Sequence, residues 1–174
     1  MQHDMTTEFY ELQRFTQRWI WGLLIFLLLI QAGVFGYGLY QQLVLGQPWG
    51  DRPMSDMALI LTSIGIFLFS GGMSYLFYSL RLITEVRPEG LAIQFYPLHR
   101  KVIPYHRIKS CQARSYKPIR EYGGWGIKFG PGGRAYNVSG DRGVQLVLDD
   151  GKRILIGSQR SDELERAIKR HGVG

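Results

Sequence analysis

The sequence predicts a membrane α-helical hairpin followed by a mainly-β soluble domain of the α+β type. Three observations predict it. Two long apolar runs in the first half carry no charge, the second half changes to short alternating segments punctuated by Gly, Pro and Asp, and one short amphipathic segment closes the chain. With 174 residues there is room for about one domain and its accessories. The 45% hydrophobic content is ordinary for a globular protein, but the apolar residues are concentrated between Trp19 and Leu80.

No charged residue occurs between Arg18 and Asp51, and Trp19 to Tyr40 is apolar on every helical face. Those residues span about 33 Å as a helix, enough for the hydrocarbon core of a bilayer. A core helix of a soluble protein would show a polar stripe, and this run has none. Met57 to Leu80 is equally free of charge and reaches about 36 Å by the same arithmetic. Trp19, Trp21, Tyr37, Tyr40, Tyr75 and Tyr78 sit near the ends of the runs, where amphipathic rings suit the head-group interface. The first run is too long for the h-region of a signal peptide, and no A-x-A-like cleavage site follows it.

Arg14 and Arg18 precede the first helix, and Arg81, Arg87, Arg100 and Lys101 follow the second, while the linker holds only Arg52. Positive residues favour the cytoplasmic side. The expected order is therefore a cytoplasmic N-terminal segment (1–18), a first transmembrane helix (19–40), a short extracytoplasmic loop (41–56), a second transmembrane helix (57–80) and a cytoplasmic domain (81–174), with both termini inside. Ala32 and Gly36 on the first helix, and Ser70, Gly71, Gly72 and Ser74 on the second, would let the two approach closely. Gln31, the only strongly polar residue mid-span, suggests an interhelical hydrogen bond. No acidic, basic or histidine residue lies within either span, which argues against an ion or proton pathway.

Beyond Arg81 the spacing predicts strands over 82–87 and 91–96 around the Pro88-Glu89-Gly90 turn, then over 101–105 and 108–116. Two more, 126–129 and 134–138, flank Gly130-Pro131-Gly132-Gly133, and 144–148 and 153–156 alternate around Asp149-Asp150-Gly151. A helix over about 162–170 closes the domain, with Asp162 as cap, Glu165 three residues on, and Leu164 and Ile168 as its apolar face. Antiparallel strands followed by one C-terminal helix is the order of a pleckstrin-homology-like (PH-like) barrel or sandwich, though the pattern fits other small barrels as well.

Residues from Arg81 onward hold 18 of the 21 Lys+Arg but 9 of the 14 Asp+Glu. So basic a domain favours anionic partners. Arg114, Lys117, Arg120, Lys128, Arg134 and Arg142 cluster in sequence and are the candidate residues for an anionic surface; anionic lipid and a protein partner are the expected ligands, and nucleic acid is disfavoured because no RNA- or DNA-binding motif is present. Segment 120–143 is rich in glycine, yet has neither a P-loop nor a dinucleotide fingerprint between strand and helix, so tight turns are the simpler reading.

Catalytic chemistry finds little support. Cys111 is the only cysteine, which excludes an internal disulfide and any multi-cysteine metal site, and it reads as a semi-buried strand residue. His3, His99, His106 and His171 have no metal-ligand spacing, Asp149-Asp150 fits a hairpin turn, and the sequon Asn137-Val138-Ser139 is irrelevant to a cytoplasmic domain. No catalytic, cofactor-binding or metal residue is assigned, and no cofactor is expected. The rival reading, an enzyme, would use His106, Ser139 or Asp141; a third is a structural subunit of a membrane complex.

Two membrane helices running directly into a strand-rich domain, with Ile103-Pro104-Tyr105-His106-Arg107-Ile108, the stretch 118–127, Ala135-Tyr136-Asn137-Val138-Ser139-Gly140 and Arg142-Gly143-Val144-Gln145-Leu146, resembles the uncharacterised bacterial membrane proteins that carry a PH-like domain. The resemblance covers nearly the whole chain. It implies a multi-pass protein of the bacterial inner membrane with a PH-like fold, and supplies no substrate or catalytic residue. The expected function is that of a membrane-anchored, non-enzymatic module binding a protein partner or anionic lipid at the inner leaflet.

Overall fold

A computed structural model describes residues 8–174; residues 1–7, with His3, lie outside them. The chain divides into two units, Gln17–Tyr78 and the residues up to Thr16 together with Ser79–Gly174.

The first unit is helical. Helix α1 (Arg18–Leu39) continues through a π-helical turn at Tyr40–Val44, so the linker expected from residue 41 begins later. Helix α2 covers Asp56–Ser79. By length and composition both are able to cross a membrane, with 27 residues in Arg18–Val44 and 24 in Asp56–Ser79. Gln42 Nε2 donates to Met54 O (2.8 Å) and Asp56 Oδ1 (2.7 Å), tying the end of the first helix to the start of the second. The expected close approach at Gly36, Gly71 and Gly72 is not observed: nothing lies within 4 Å of a Cβ placed there. Gly38 is the tight position, where a Cβ would fall 2.6 Å from the Trp49 ring. Ser74 Oγ donates within its own helix to Ser70 O (2.9 Å), and Gln31 Oε1 accepts no hydrogen bond.

Among the described residues, the second unit holds nine strands in two sheets. The first sheet has the order β1-β2-β3-β4, from β1 (Phe9–Arg14), β2 (Arg81–Arg87), β3 (Gly90–Tyr96) and β4 (His99–Ile103). The second has the order β5-β8-β9-β7-β6, from β5 (Ile108–Ser115), β6 (Gly126–Gly130), β7 (Gly133–Asn137), β8 (Arg142–Leu148) and β9 (Arg153–Gly157). Helix α3 (Pro118–Tyr122) follows β5, and α4 (Ser161–Lys169) follows β9. The strands form no closed barrel, and β7 pairs with β9 in parallel, so the all-antiparallel expectation is also corrected. Each hairpin brings its own strands together, but the return of β9 between β8 and β7 is non-local.

Strand β1 lies inside what the sequence suggested was a plain N-terminal segment. It pairs with β2 from Phe9↔Val86 to Arg14↔Arg81, so the chain leaves the sheet and re-enters it at directly opposed residues. Its inward side chains are Phe9, Glu11 and Gln13. Glu11 accepts from Ser158 Oγ (2.5 Å) and Gln159 N (2.9 Å), and Gln13 Nε2 donates to Gly157 O (2.8 Å), linking the two sheets through β1.

Leu82, Val86, Leu91, Ile93, Phe95, Tyr136, Leu146 and Ile156 are among the buried residues of the core. Helix α4 lies against β5 and β8 and buries Leu164, Ala167 and Ile168. Asp162 does not cap it: the helix starts one residue earlier, Asp162 binds Arg142 Nη2 (3.1 Å), and Glu165 Oε2 accepts from Ala113 N (2.9 Å). Helix α3 covers a second small cluster of Tyr116, Tyr122, Ala135 and Leu155.

Candidate functional site

The site is built from two turns and a facing strand. In the β6–β7 hairpin, Gly130 pairs with Gly133, leaving Pro131-Gly132 as a two-residue loop. Gly133 has φ +96°, and a Cβ there would lie 2.1 Å from Arg153 O, so only glycine lets the turn press against the start of β9. Asp149, Asp150, Gly151 and Lys152 connect β8 to β9; Gly151 N donates to Leu148 O (3.0 Å), and Leu148 N to Lys152 O (2.8 Å). Both aspartates are turn residues, as expected: Arg107 holds Asp149 (3.1 Å) and Asp150 (3.2 Å), and Lys152 also pairs with Asp150 (2.8 Å).

Parallel pairing of Arg134 with Ile154 sets the N-terminal ends of β7 and β9 side by side. Alternation then decides what faces inward. Arg134 and Tyr136 share one face of β7, and His99, Lys101 and Ile103 share one face of β4. His99 and Tyr136 stack at 5.8 Å, with 3.2 Å between His99 Nε2 and Tyr136 Oη. Two residues away along each strand, at Lys101 of β4 and Arg134 of β7, this aromatic pair gives way to cations. Lys101, Arg134, Lys152 and Arg153 line a cleft of about 670 Å³ together with Phe129, Gly130, Pro131, Gly133, Gly151 and Ile154, with no carboxylate in its lining.

Arg134 is held in place. Its guanidinium lies 4.5 Å from the Phe129 ring centroid, and Nη1 donates to Tyr136 Oη (3.2 Å). Burial pushes the Lys101 ammonium pKa below its ordinary value, and nearby Arg134, Arg107 and Lys152 push it the same way; Asp150 opposes them weakly. Among the described residues, Lys101, Arg134 and Arg153 have no carboxylate ion-pair partner.

The six basic residues singled out from the sequence do not form one patch. Arg134 lines the cleft. Arg114 is committed elsewhere, to Glu121 (2.8 Å), Gln145 (3.1 Å) and Tyr122 Oη (3.4 Å), and Arg142 pairs with Asp162. Lys117 and Arg120 are exposed at α3. Lys128 pairs with Ala135 in the ladder and so points to the opposite face from Phe129 and Arg134. Lys101, Lys152 and Arg153 were missed; the inward alternation of Lys101 with Ile103 was the available signal.

The residues of the enzyme reading are not joined by a hydrogen bond. His106 is exposed in a 3₁₀ turn, Ser139 Oγ binds Gln159 Nε2 (3.3 Å), and Asp141 uses its backbone carbonyl to accept from Tyr116 N (2.8 Å). No His, Cys, Asp and Glu cluster able to hold a metal occurs among the described residues. Cys111 is buried more fully than expected, at 3% exposure, and burial pushes its thiol pKa up to about 11. Asn137, of the sequon, is buried and donates to Tyr116 Oη (3.1 Å). In segment 120–143, Gly123 caps α3 in the left-handed conformation and Gly133 serves the hairpin contact.

No curated protein and no solved structure matches the chain. The sequence model described as "Family of unknown function (DUF6141)" matches residues 7–173, spanning both apolar helices, both sheets and the cationic cleft, and the chain therefore belongs to that family.

Proposed function

We propose that the protein is a membrane-anchored, non-enzymatic module whose PH-like domain binds an anionic surface, lipid or protein, at the cytoplasmic face of a bacterial inner membrane. The cationic cleft between the β6–β7 and β8–β9 turns carries this reading, because it concentrates positive charge without lining carboxylates. The anchor is supported by the two apolar helices and by the β1–β2 pairing. A strand before the first helix that pairs with one after the second needs both on one side of the membrane, as two spans provide. Cleavage of the first run as a signal sequence would separate β1 from its partner. The excess of Lys and Arg outside the linker supports placing that side in the cytoplasm. Successive strands closed by a C-terminal helix support the PH-like reading, with β1 and the parallel β7–β9 pair as departures.

The test is co-flotation of the full chain, held in neutral-lipid nanodiscs, with vesicles containing phosphatidylserine across a salt series. Binding at low salt should fall as salt rises, since each basic residue near such a surface is worth about 1 kcal/mol. Arg134→Gln and Arg153→Gln, both in the lining of the cleft, should each weaken it. Absence of binding at low salt would remove lipid and leave an acidic protein as the partner.

A further inference from the structure

We infer that the cleft lined by Lys101, Arg134, Lys152 and Arg153 is a binding site for a phosphomonoester group. The inference rests on the anion-binding reading and gives it a ligand chemistry. Its cations come from different directions: Lys101 from β4 of one sheet, Arg134 from the start of β7, and Lys152 and Arg153 from the approach to β9 in the other. A phosphomonoester offers three terminal oxygens and close to two charges, and so engages donors from several directions. A phosphodiester has two free oxygens and one charge. A carboxylate is planar and suits a single arginine fork.

Preorganisation points the same way. Arg134 is stacked on Phe129 and hydrogen-bonded to Tyr136, so little side-chain freedom remains to be lost on binding. Lys101 sits half-buried among like charges, a placement that is unfavourable until an anion joins it. The cleft is larger than a phosphate alone requires, at about 670 Å³, and leaves room for the organic part of the ester. Phe129, at 70% exposure, supplies an apolar surface there. This chemistry is shared by a soluble phosphate ester and by a lipid with a terminal phosphate.

The test measures acetylation of Lys101 in the full chain in neutral-lipid nanodiscs, with exposed Lys117 as internal reference, by peptide mass spectrometry. Three additions are compared: glycerol 3-phosphate, phosphatidic acid in the disc, and phosphatidylserine at matched charge. Occupancy is expected to slow Lys101 modification about tenfold at ninety per cent saturation while Lys117 is unchanged. Arg134→Gln should abolish the protection, and Arg142→Gln, outside the cleft, should keep it. Protection by glycerol 3-phosphate identifies a soluble ester as sufficient; protection by phosphatidic acid alone identifies the lipid. If neither protects Lys101 beyond phosphatidylserine, the site is refuted. Flotation with phosphatidylserine that persists in that case leaves the wider reading standing, whereas protection without flotation retains the site and removes the surface. The wild-type comparison decides the matter even if a variant misfolds.

Discussion

Arg14 and Arg81 face each other across the β1–β2 ladder, one the last residue of the strand before the apolar helices and the other the first residue of the strand after them. Their direct opposition joins the two ends of the helical segment within one sheet. Like charges in opposed positions repel, and Arg81 finds compensation over the Tyr96 ring, 4.6 Å from its centroid.

That pairing allows the helices to be removed without opening the sheet. A chain in which residues 17–78 are replaced by a four-residue Gly-Asn turn is expected to be soluble and to unfold cooperatively. A fragment starting at Arg81 lacks Phe9, which is 4% exposed, and exposes the β2 edge to other chains. Burial of that phenylalanine alone is worth about 1.5–3 kcal/mol. Size-exclusion chromatography and thermal circular dichroism compare the two; equal behaviour would show that β1 is dispensable.

Glu11 and Gln13 tie β1 to the far sheet through polar contacts, and Glu11 makes two of them. Replacing Glu11 with alanine leaves the buried Ser158 hydroxyl and the part-buried Gln159 N–H without their acceptor. Bonds to a charged group are worth about 1.5–3 kcal/mol, so Glu11→Ala should lose at least that much in urea unfolding of the helix-excised domain. Glu11→Gln keeps one acceptor and should lose less. Equal losses would place the effect in packing.

Strand β1 also shows where sequence reading stops. The other strands were legible because most inward positions are apolar and the turns carry Gly, Pro or Asp. In β1 the alternation is inverted: Glu11 and Gln13 point inward, while Tyr10 and Leu12 are exposed at 36% and 37%. Helix α3 is too short for a periodic signal, although Pro118 at its start and Gly123 at its end mark both boundaries. The cleft was hidden for a different reason. Lys101 and Arg153 are distant in sequence and line the cleft from strands of different sheets, and the parallel β7–β9 pair sets Arg134 beside them, whereas Lys128 and Arg134, close in sequence, occupy opposite faces.

Gly133 and Gly151 both have positive φ, at +96° and +77°, but only Gly133 is enclosed. Alanine at 151 meets nothing within 4 Å, so Gly151→Ala should cost only the backbone penalty of about 1–2 kcal/mol. Alanine at 133 would carry that penalty and also collide with Arg153 O, forcing β7 from β9. Gly133→Ala should therefore be the more destabilising by denaturant midpoint, and should also lower the anion response of the cleft. Similar midpoints for the two variants would contradict the tight contact.

Lys101 and Tyr105 should give the domain opposite alkaline responses. The Lys101 pKa is lowered from 10.5, so the folded state sheds its proton before the unfolded state does, and stability contributed through this group rises with pH until 10.5 is passed. Lys101→Met is accordingly expected to raise the melting temperature at pH 7, with the gain shrinking toward pH 10.5. Burial, aided by Glu8, pushes the Tyr105 phenol from 10.0 up to about 12, while its hydroxyl donates to Arg87 O at 2.6 Å. Below pH 10 it is neutral in both states and its contribution is fully present. Between pH 10 and 12 the unfolded tyrosine ionises first, and that contribution is lost. Tyr105→Phe should lower stability at pH 7 by removing the hydrogen bond, yet decline less steeply from pH 10 to 12. Melting curves of the helix-excised domain at fixed ionic strength measure both; a Lys101→Met gain that stays constant to pH 10.5 would trace it to packing and remove charge crowding in the cleft as its cause.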